Sequence, residues 1–316
     1  MAKSSHAEFR GIAMDFRPKA VPQMTTAQFE ALFPLGDEDA CLEYLVARRW
    51  PDGVRCPRCG NADLYDASSY KPFHWQCREC DKNGYRFSAI AGTIFENTKK
   101  PLRDWFLVTH FMLSSKKGMS ALQIQRMMGF GSYETAHSMC HKIRVSLIAP
   151  EEKLGGIVEV DETYVGGKAA NKHRSKRDGA SGGIGSGKST VVGAISRKGN
   201  VVLRVIDNTD TKTLDSFVHE AVSDKVSLLA TDEHSGYRFL SRTYPHKIIR
   251  KSGGDYVVGA VHTNTIEGFW SILKRGVVGT YHKVSRKYLP LYVAEFQCRH
   301  NNRSNPDTFA TAIAGC

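Results

Sequence analysis

No uninterrupted apolar stretch reaches the roughly 18 residues a bilayer-crossing helix needs, so no membrane-spanning helix is expected. The N-terminal run MAKSSHAEFRGIAMDF lacks the apolar block of a secretory signal, and a cytoplasmic location is the expectation. In that setting the eight cysteines do not read as a disulfide framework; four fall in two CxxC pairs, while Cys41, Cys140, Cys298 and Cys316 are scattered. Acidic residues are in short supply, 32 against 44 Lys and Arg, which gives a formal net charge of +12. Such an excess suits a polyanionic partner, because displacing counterions from a phosphate backbone is favourable, although an ordinary basic surface produces the same figure. No internal repeat is evident.

With 316 residues, 41% of them hydrophobic and 24% charged, the chain can form two or three domains and at least one sizeable core. Residues 1–23, with Pro18 and Pro22, read as an ill-ordered leader. Residues 24–53 read as two helices, the first capped by Thr25 or Thr26 and the second spanning Asp37 to Arg49, closed by Trp50-Pro51-Asp52-Gly53. Short strand-like pieces fill 54–92, and residues 100–149 read as helical. After Pro150 the pattern changes. Strands are predicted at Ile157–Val160, Thr190–Ser196, Val201–Ile206, Leu228–Thr231 and His246–Arg250. Helices are predicted at Thr213–Val222, Thr265–Lys274 and Leu289–Cys298. This is an α/β core built on a mixed sheet over residues 153–305, followed by a tail at 306–316.

Cys56-x2-Cys59, seventeen residues, then Cys77-x2-Cys80 is the spacing of a zinc ribbon, in which four thiolates converge on one Zn²⁺. Four protein ligands close the coordination sphere, so the metal would be structural. The surrounding basic and aromatic residues (Arg55, Arg58, Phe73, Trp75, Tyr85 and Arg86 among them) suit DNA contact, or equally a small core with a solvated face.

Residues 119–147 read as helix, glycine-containing turn, helix: Ser120–Met128, Gly129-Phe130-Gly131-Ser132, Tyr133–Leu147. The second helix carries His137, His141, Lys142 and Arg144, the polar and basic side chains a DNA recognition helix needs, although any αα-hairpin with a glycine turn shares the pattern.

Three carboxylates are placed for metal chemistry. Asp161 and Asp232 each follow an apolar strand, and Glu267 lies on a helix whose Ile266, Phe269, Ile272 and Leu273 form the opposite, apolar face. Oxygen ligands of this kind suit Mg²⁺ or Mn²⁺, and two such ions would activate an attacking water or 3′-hydroxyl and stabilise the leaving oxygen. Lys274, two turns beyond Glu267, is placed to meet a DNA phosphate.

Together the stretches CPRCG, CREC, VEVDETYVGGK, LLATDEHSGY, HTNTIEGFWSILKRGVVGTYHKVS and EFQCRHNNR resemble the DDE transposases of bacterial insertion sequences, in the group with an N-terminal zinc ribbon. The resemblance covers roughly residues 25–305, and 34 residues separate Asp232 from Glu267, as in such enzymes. It implies an RNase H-like catalytic core with Asp161, Asp232 and Glu267 as catalytic metal ligands. Some relatives carry Asn at the third acidic position; Glu267 keeps the acidic version. Lys274, Arg275, His262 and Asn264 join Lys142 and Arg144 as expected DNA contacts.

Gly182-x4-Gly187-Lys188-Ser189 formally matches a nucleotide-binding P-loop, but a polar basic segment precedes it and a strand pattern follows, so no nucleotide is expected. Residues 168–189 read instead as a basic, Gly-rich insertion in which Lys172, Arg174, Lys176 and Arg177 would grip DNA.

The implied reaction is metal-dependent strand cleavage at insertion-sequence ends and strand transfer into target DNA. Two ends must be held together, so a homodimer or larger assembly on DNA is expected. A non-catalytic zinc-ribbon regulator and a nuclease without joining activity are the competing readings. Intact carboxylates at all three positions count against the first. The end-recognition modules count against the second.

Overall fold

A computed structural model describes residues 24–150, 152–167, 188–249 and 262–316. Helix α1 (Thr26–Leu32) starts in a full capping box between Thr25 and Gln28, and Asp37 caps α2 (Glu38–Arg49) by accepting from the Ala40 N–H. A three-stranded antiparallel sheet follows, β1 (Leu64–Asp66), β2 (His74–Cys77) and β3 (Tyr85–Ser88), with β2 central. Leu42, Val46 and Trp50 pack on the core of this sheet around Trp75 and Phe87. The ribbon and α2 therefore form one unit, and the boundary expected at residue 54 cuts through it.

Helix α3 (Leu102–Ser114) leads to α4 (Ala121–Met128) and α5 (Tyr133–Ser146). Ser120 caps α4, Gly129 ends it at φ 65°, and Ser132 caps α5.

The second half of the chain is a five-stranded mixed sheet of β4 (Ile157–Val165), β5 (Ser189–Ser196), β6 (Val201–Ile206), β7 (Leu228–Thr231) and β8 (His246–Ile248). The order is β6-β5-β4-β7-β8; β4, β5 and β6 are antiparallel neighbours, whereas β4–β7 and β7–β8 are parallel. Strand β4 was expected to stop at Val160. It continues to Val165 because Asp161 to Val165 go on pairing with β5, ending at Val165 opposite Ser189. Ser189 opens β5 rather than a helix, so the helix N-terminus that a P-loop requires is missing at that point.

Helix α6 (Thr211–Ala221) covers one sheet face, where Leu214, Phe217 and Val218 meet Val158, Val160 and Val192. The opposite face takes α7 (Asn264–Arg275) and α8 (Leu289–Asn301), whose Ile266, Phe269, Trp270, Leu273, Val293 and Phe296 pack over Val191, Ile195 and Leu203. Burial at Ile266, Phe269, Trp270 and Leu273 is the i, i+3, i+4, i+7 stripe of an amphipathic helix.

The expected tail is instead a helix, α9 (Thr308–Ala314), which returns to the N-terminal helices. Phe309 sits among Phe29, Phe33, Tyr44 and Phe106 at ring distances of 6.1, 5.8, 5.9 and 5.7 Å. The helical core around Phe106, Ile124 and Ile143 thus draws on both ends of the described chain. Among the described residues no helix is long and apolar enough to cross a membrane.

Candidate active site

The parallel pairing of β4 with β7 sets Val160 opposite Thr231, so the residues that follow, Asp161 and Asp232, emerge side by side. Asp161 was expected at the end of its own strand; it lies mid-strand, at the level where β7 ends. Carboxylate oxygens of Asp161, Glu162 and Asp232 lie within 4.8 Å of one another. Like charges at that distance repel, and such a set of hard oxygen donors fits a divalent cation.

Successive side chains on a strand point to opposite faces. Asp161 therefore faces α7, and the Trp270 indole Nε1–H donates to its Oδ2 at 3.0 Å. Gly193, paired with Asp161 across β5, makes this possible: a Cβ there would stand 2.7 Å from the Trp270 ring. Glu162 turns towards the α6 side and accepts from the buried Tyr237 hydroxyl at 2.7 Å. Burial pushes the Glu162 carboxyl above the usual range; the Tyr237 hydrogen bond opposes this and the Asp232 charge adds to it. The Asp232 Oδ1 accepts from the His234 N–H at 3.0 Å.

Glu267 lies outside the close group of three carboxylates, and its Oε1 accepts from the Thr263 hydroxyl at 2.9 Å. It nevertheless lines the same cleft as Asp161, a cavity of about 560 Å³ whose walls also hold Glu162, Asn264, Trp270, Lys274 and Arg275. One wall of this cleft is acidic strand and the other is the polar side of α7, which carries one carboxylate and two cations.

The group that fixes α7 against β4 is one the sequence reading passed over. Glu159 is 0% exposed and shares the Asp161 face. Its carboxylate accepts from the Thr265 N–H (2.8 Å), the Thr265 hydroxyl (2.8 Å) and the Ile266 N–H (3.1 Å), the unpaired donors of the α7 N-terminus. The Arg197 Nε lies 2.8 Å away and His262 Nδ1 3.2 Å away. A glutamate at an inward-facing position of the apolar run Ile157–Val160 was the available signal. Glu162, adjacent to Asp161, was likewise passed over.

The other expected site residues divide. Asn264, Lys274 and Arg275 line the cleft, and His262 is turned onto Glu159. Lys142 is exposed, with its Nζ 5.8 Å from the Trp105 ring centre. Arg144 is the correction: only 1% of its side chain is exposed, and its Nε pairs with Glu295 Oε2 at 2.6 Å over the Tyr292 ring. Burial opposes ionisation of Glu295, but Arg299 and Arg144 outweigh it and hold the carboxyl below its usual range. Arg144 thus ties α5 to α8 and has no access to DNA. Lys172, Arg174, Lys176 and Arg177 lie outside the described residues.

In the ribbon, Cys56 Sγ stands 3.5 Å from Cys80 Sγ, and Cys59 Sγ 3.6 Å from Cys77 Sγ. A zinc tetrahedron with Zn–S bonds of about 2.3 Å has edges of roughly 3.8 Å, so the four sulfurs fit a structural zinc ion. Burial raises the Cys56 thiol, but N–H groups of Cys59 and Arg58 and the neighbouring thiols outweigh it and bring it down to about 7. The thiols beside it push Cys80 up in turn, so Cys56 is the first of the four to give the thiolate that a metal requires.

Comparison with known proteins agrees with this geometry. Residues 153–301 match the ISXO2-like transposase domain, and residues 36–83 match the transposase zinc-ribbon domain. Over 267 residues, 81% of this chain and 88% of the relative, the chain is 26% identical to a protein in transposable element ISH50 of Halobacterium salinarum.

Proposed function

We infer from its membership of the zinc-ribbon-bearing, ISXO2-like DDE transposases that this chain cleaves DNA at insertion-sequence ends and transfers the freed 3′-hydroxyl into target DNA. The observation that carries the reading is the β4–β7 register, which sets Asp161 beside Asp232 under a helix that lines the same cleft with Glu267. The sheet order β6-β5-β4-β7-β8, with three antiparallel strands followed by two parallel ones, supports an RNase H-like core.

Asp161, Asp232 and Glu267 would hold Mg²⁺ or Mn²⁺, and bound metal would supply Lewis-acid activation of the attacking and leaving oxygens. The protein's own groups do the positioning. Trp270 orients the Asp161 carboxylate, and Glu159 anchors the helix that bears Glu267. Lys274 and Arg275, on the cleft wall, are set to engage the phosphates flanking the reacting bond. The zinc ribbon is the module for recognising the ends, the α4–α5 hairpin adds a further DNA-contacting surface, and joining two ends requires a dimer or larger assembly on DNA. Such a substrate places the reaction in the cytoplasm.

A strand-transfer assay on DNA bearing the element's ends, with Mg²⁺ or Mn²⁺, tests this. Asp161→Asn, Asp232→Asn and Glu267→Gln should each abolish joining while folding and DNA binding persist. Cleavage without joining would indicate a nuclease. Binding with no reaction in either metal would indicate a regulator and overturn the proposal.

A further inference from the structure

The α4–α5 hairpin and the segment after α7 enclose a groove of about 850 Å³ in which Arg126, Tyr133, His137, His282, Lys283 and Tyr288 meet. Its described lining includes no Asp or Glu. The rings form a connected series: Tyr133 to His137 at 5.5 Å, His137 to His141 at 4.1 Å and His141 to Tyr288 at 4.6 Å. Tyr133, at 44% exposure, presents its ring to solvent. The wall opposite α4 is fixed, because Gly118 admits the Tyr281 hydroxyl where a Cβ would lie only 1.8 Å from it.

Cations beside open aromatic faces, with no acid among them, match a strand whose phosphates need neutralising and whose bases are free to stack. The shape argues against paired DNA here. A recognition helix enters the major groove as a convex ridge. On α5, Arg144 and His141 are instead packed against α8 through Glu295, Tyr288 and Tyr292. Lys142 and Val145 stay exposed further along α5, but the aromatic residues of its first turns, Tyr133 and His137, lie inside a concavity. The chain's own segments outside the described residues, 1–23, 168–187 and 250–261, each carry more Lys and Arg than Asp and Glu, so none complements a basic groove.

Helix α7, which lines the cleft, leads in the chain to the rim of the groove. Gly279, on its rim, follows Glu267 by twelve residues along α7 and the turn beyond it, roughly 18 Å at helical rise. That is about five nucleotides of one strand.

We propose that this groove binds unpaired nucleotides of a DNA strand, stacking bases on Tyr133, His137 and Tyr288 and setting phosphates on Arg126 and Lys283. The proposal rests on the reading that the chain acts on DNA, but not on its catalysing strand transfer.

The test uses the full chain with a single-stranded decamer carrying 5-iododeoxyuridine, beside the same sequence as a duplex, followed by ultraviolet crosslinking and peptide mapping. Adducts on Tyr133, His137 or Tyr288 are expected with the single strand and not with the duplex. Tyr133→Ala should weaken single-strand binding about tenfold, Tyr133→Phe should restore it, and duplex affinity should stay within twofold. Adducts confined to other surfaces, or equal losses for both DNAs, would overturn the proposal. So would Tyr133→Ala leaving single-strand affinity unchanged, in which case the groove serves a protein segment or nothing. Groove adducts in a protein that joins no ends would sink the transposase reading alone; joining without groove adducts would sink this one alone.

Discussion

Replacing Glu159 with alanine removes the group that holds α7, and Glu267 with it, against β4. The carboxylate is 0% exposed and accepts from two backbone N–H groups and a hydroxyl at the helix N-terminus. Loss of such a cap costs about 1 kcal/mol. Breaking a fully buried ion pair costs about 3–5 kcal/mol, but the Arg197 side chain is 18% exposed and also donates to the His262 carbonyl, so the lower end applies. A loss of about 3–4 kcal/mol follows, within the roughly 5–15 kcal/mol that stabilises a typical domain, so the fold should survive. Hydrogen exchange read by mass spectrometry on the α7 peptide should show protection reduced about 100-fold or more. Strand transfer should fall roughly 10- to 100-fold, because sub-ångström misplacement of a reacting group is costly. Glu159→Gln, which keeps the shape and one acceptor, should fall between wild type and alanine. Unchanged α7 protection together with a stability loss below about 1 kcal/mol would show that Glu159 does not hold the helix.

Gly193→Ala should destabilise the catalytic domain by about 1–3 kcal/mol through overpacking against Trp270 and Leu203. Trp270 is the only tryptophan after residue 105, so a shift in fluorescence traceable to it in a Trp270→Phe control would report its displacement from Asp161. Chelation should remove one zinc per chain by elemental analysis and unfold the ribbon around Trp75 and Phe87 while the five-stranded sheet persists; metal-free protein with an intact ribbon would contradict the site. Burial pushes the His300 imidazole down to about 4, with the Arg303 charge adding to the effect, against about 6.5 in the unfolded chain. Between these values the unfolded state holds more protons, so stability present above pH 6.5 should be lost as pH falls towards 4. His300→Leu should flatten that window in pH-dependent denaturation curves.

Much of the local structure was legible because its causes are local. Thr25, Ser120 and Ser132 cap helices where an N-cap belongs, and Gly129 ends α4 through a left-handed φ that other residues adopt at a cost. The two CxxC pairs name their own metal, since thiolates at that spacing have few alternatives. The acidic pair was visible as carboxylates at the ends of apolar runs, and the stripe of α7 showed which of its faces is open. Helix α9 was not visible: a seven-residue Thr- and Ala-rich segment has little helical signal, and Phe309 makes it a helix by docking on Phe29 and Phe106.

Tertiary structure alone decided the roles of residues whose partners lie far along the chain. Arg144 read as a DNA contact because exposed and buried arginines look alike in a sequence; Glu295, 151 residues away, takes it into the interior. Glu159 is identified as the anchor of α7 only when Thr265 and Ile266, more than a hundred residues later, bring their free N–H groups to it. Composition and periodicity thus settled which residues can bind metal, cap a helix or face a core. Which carboxylate stands beside which cation depends on strand register and helix docking, and these are set by the whole buried surface rather than by any local run of residues.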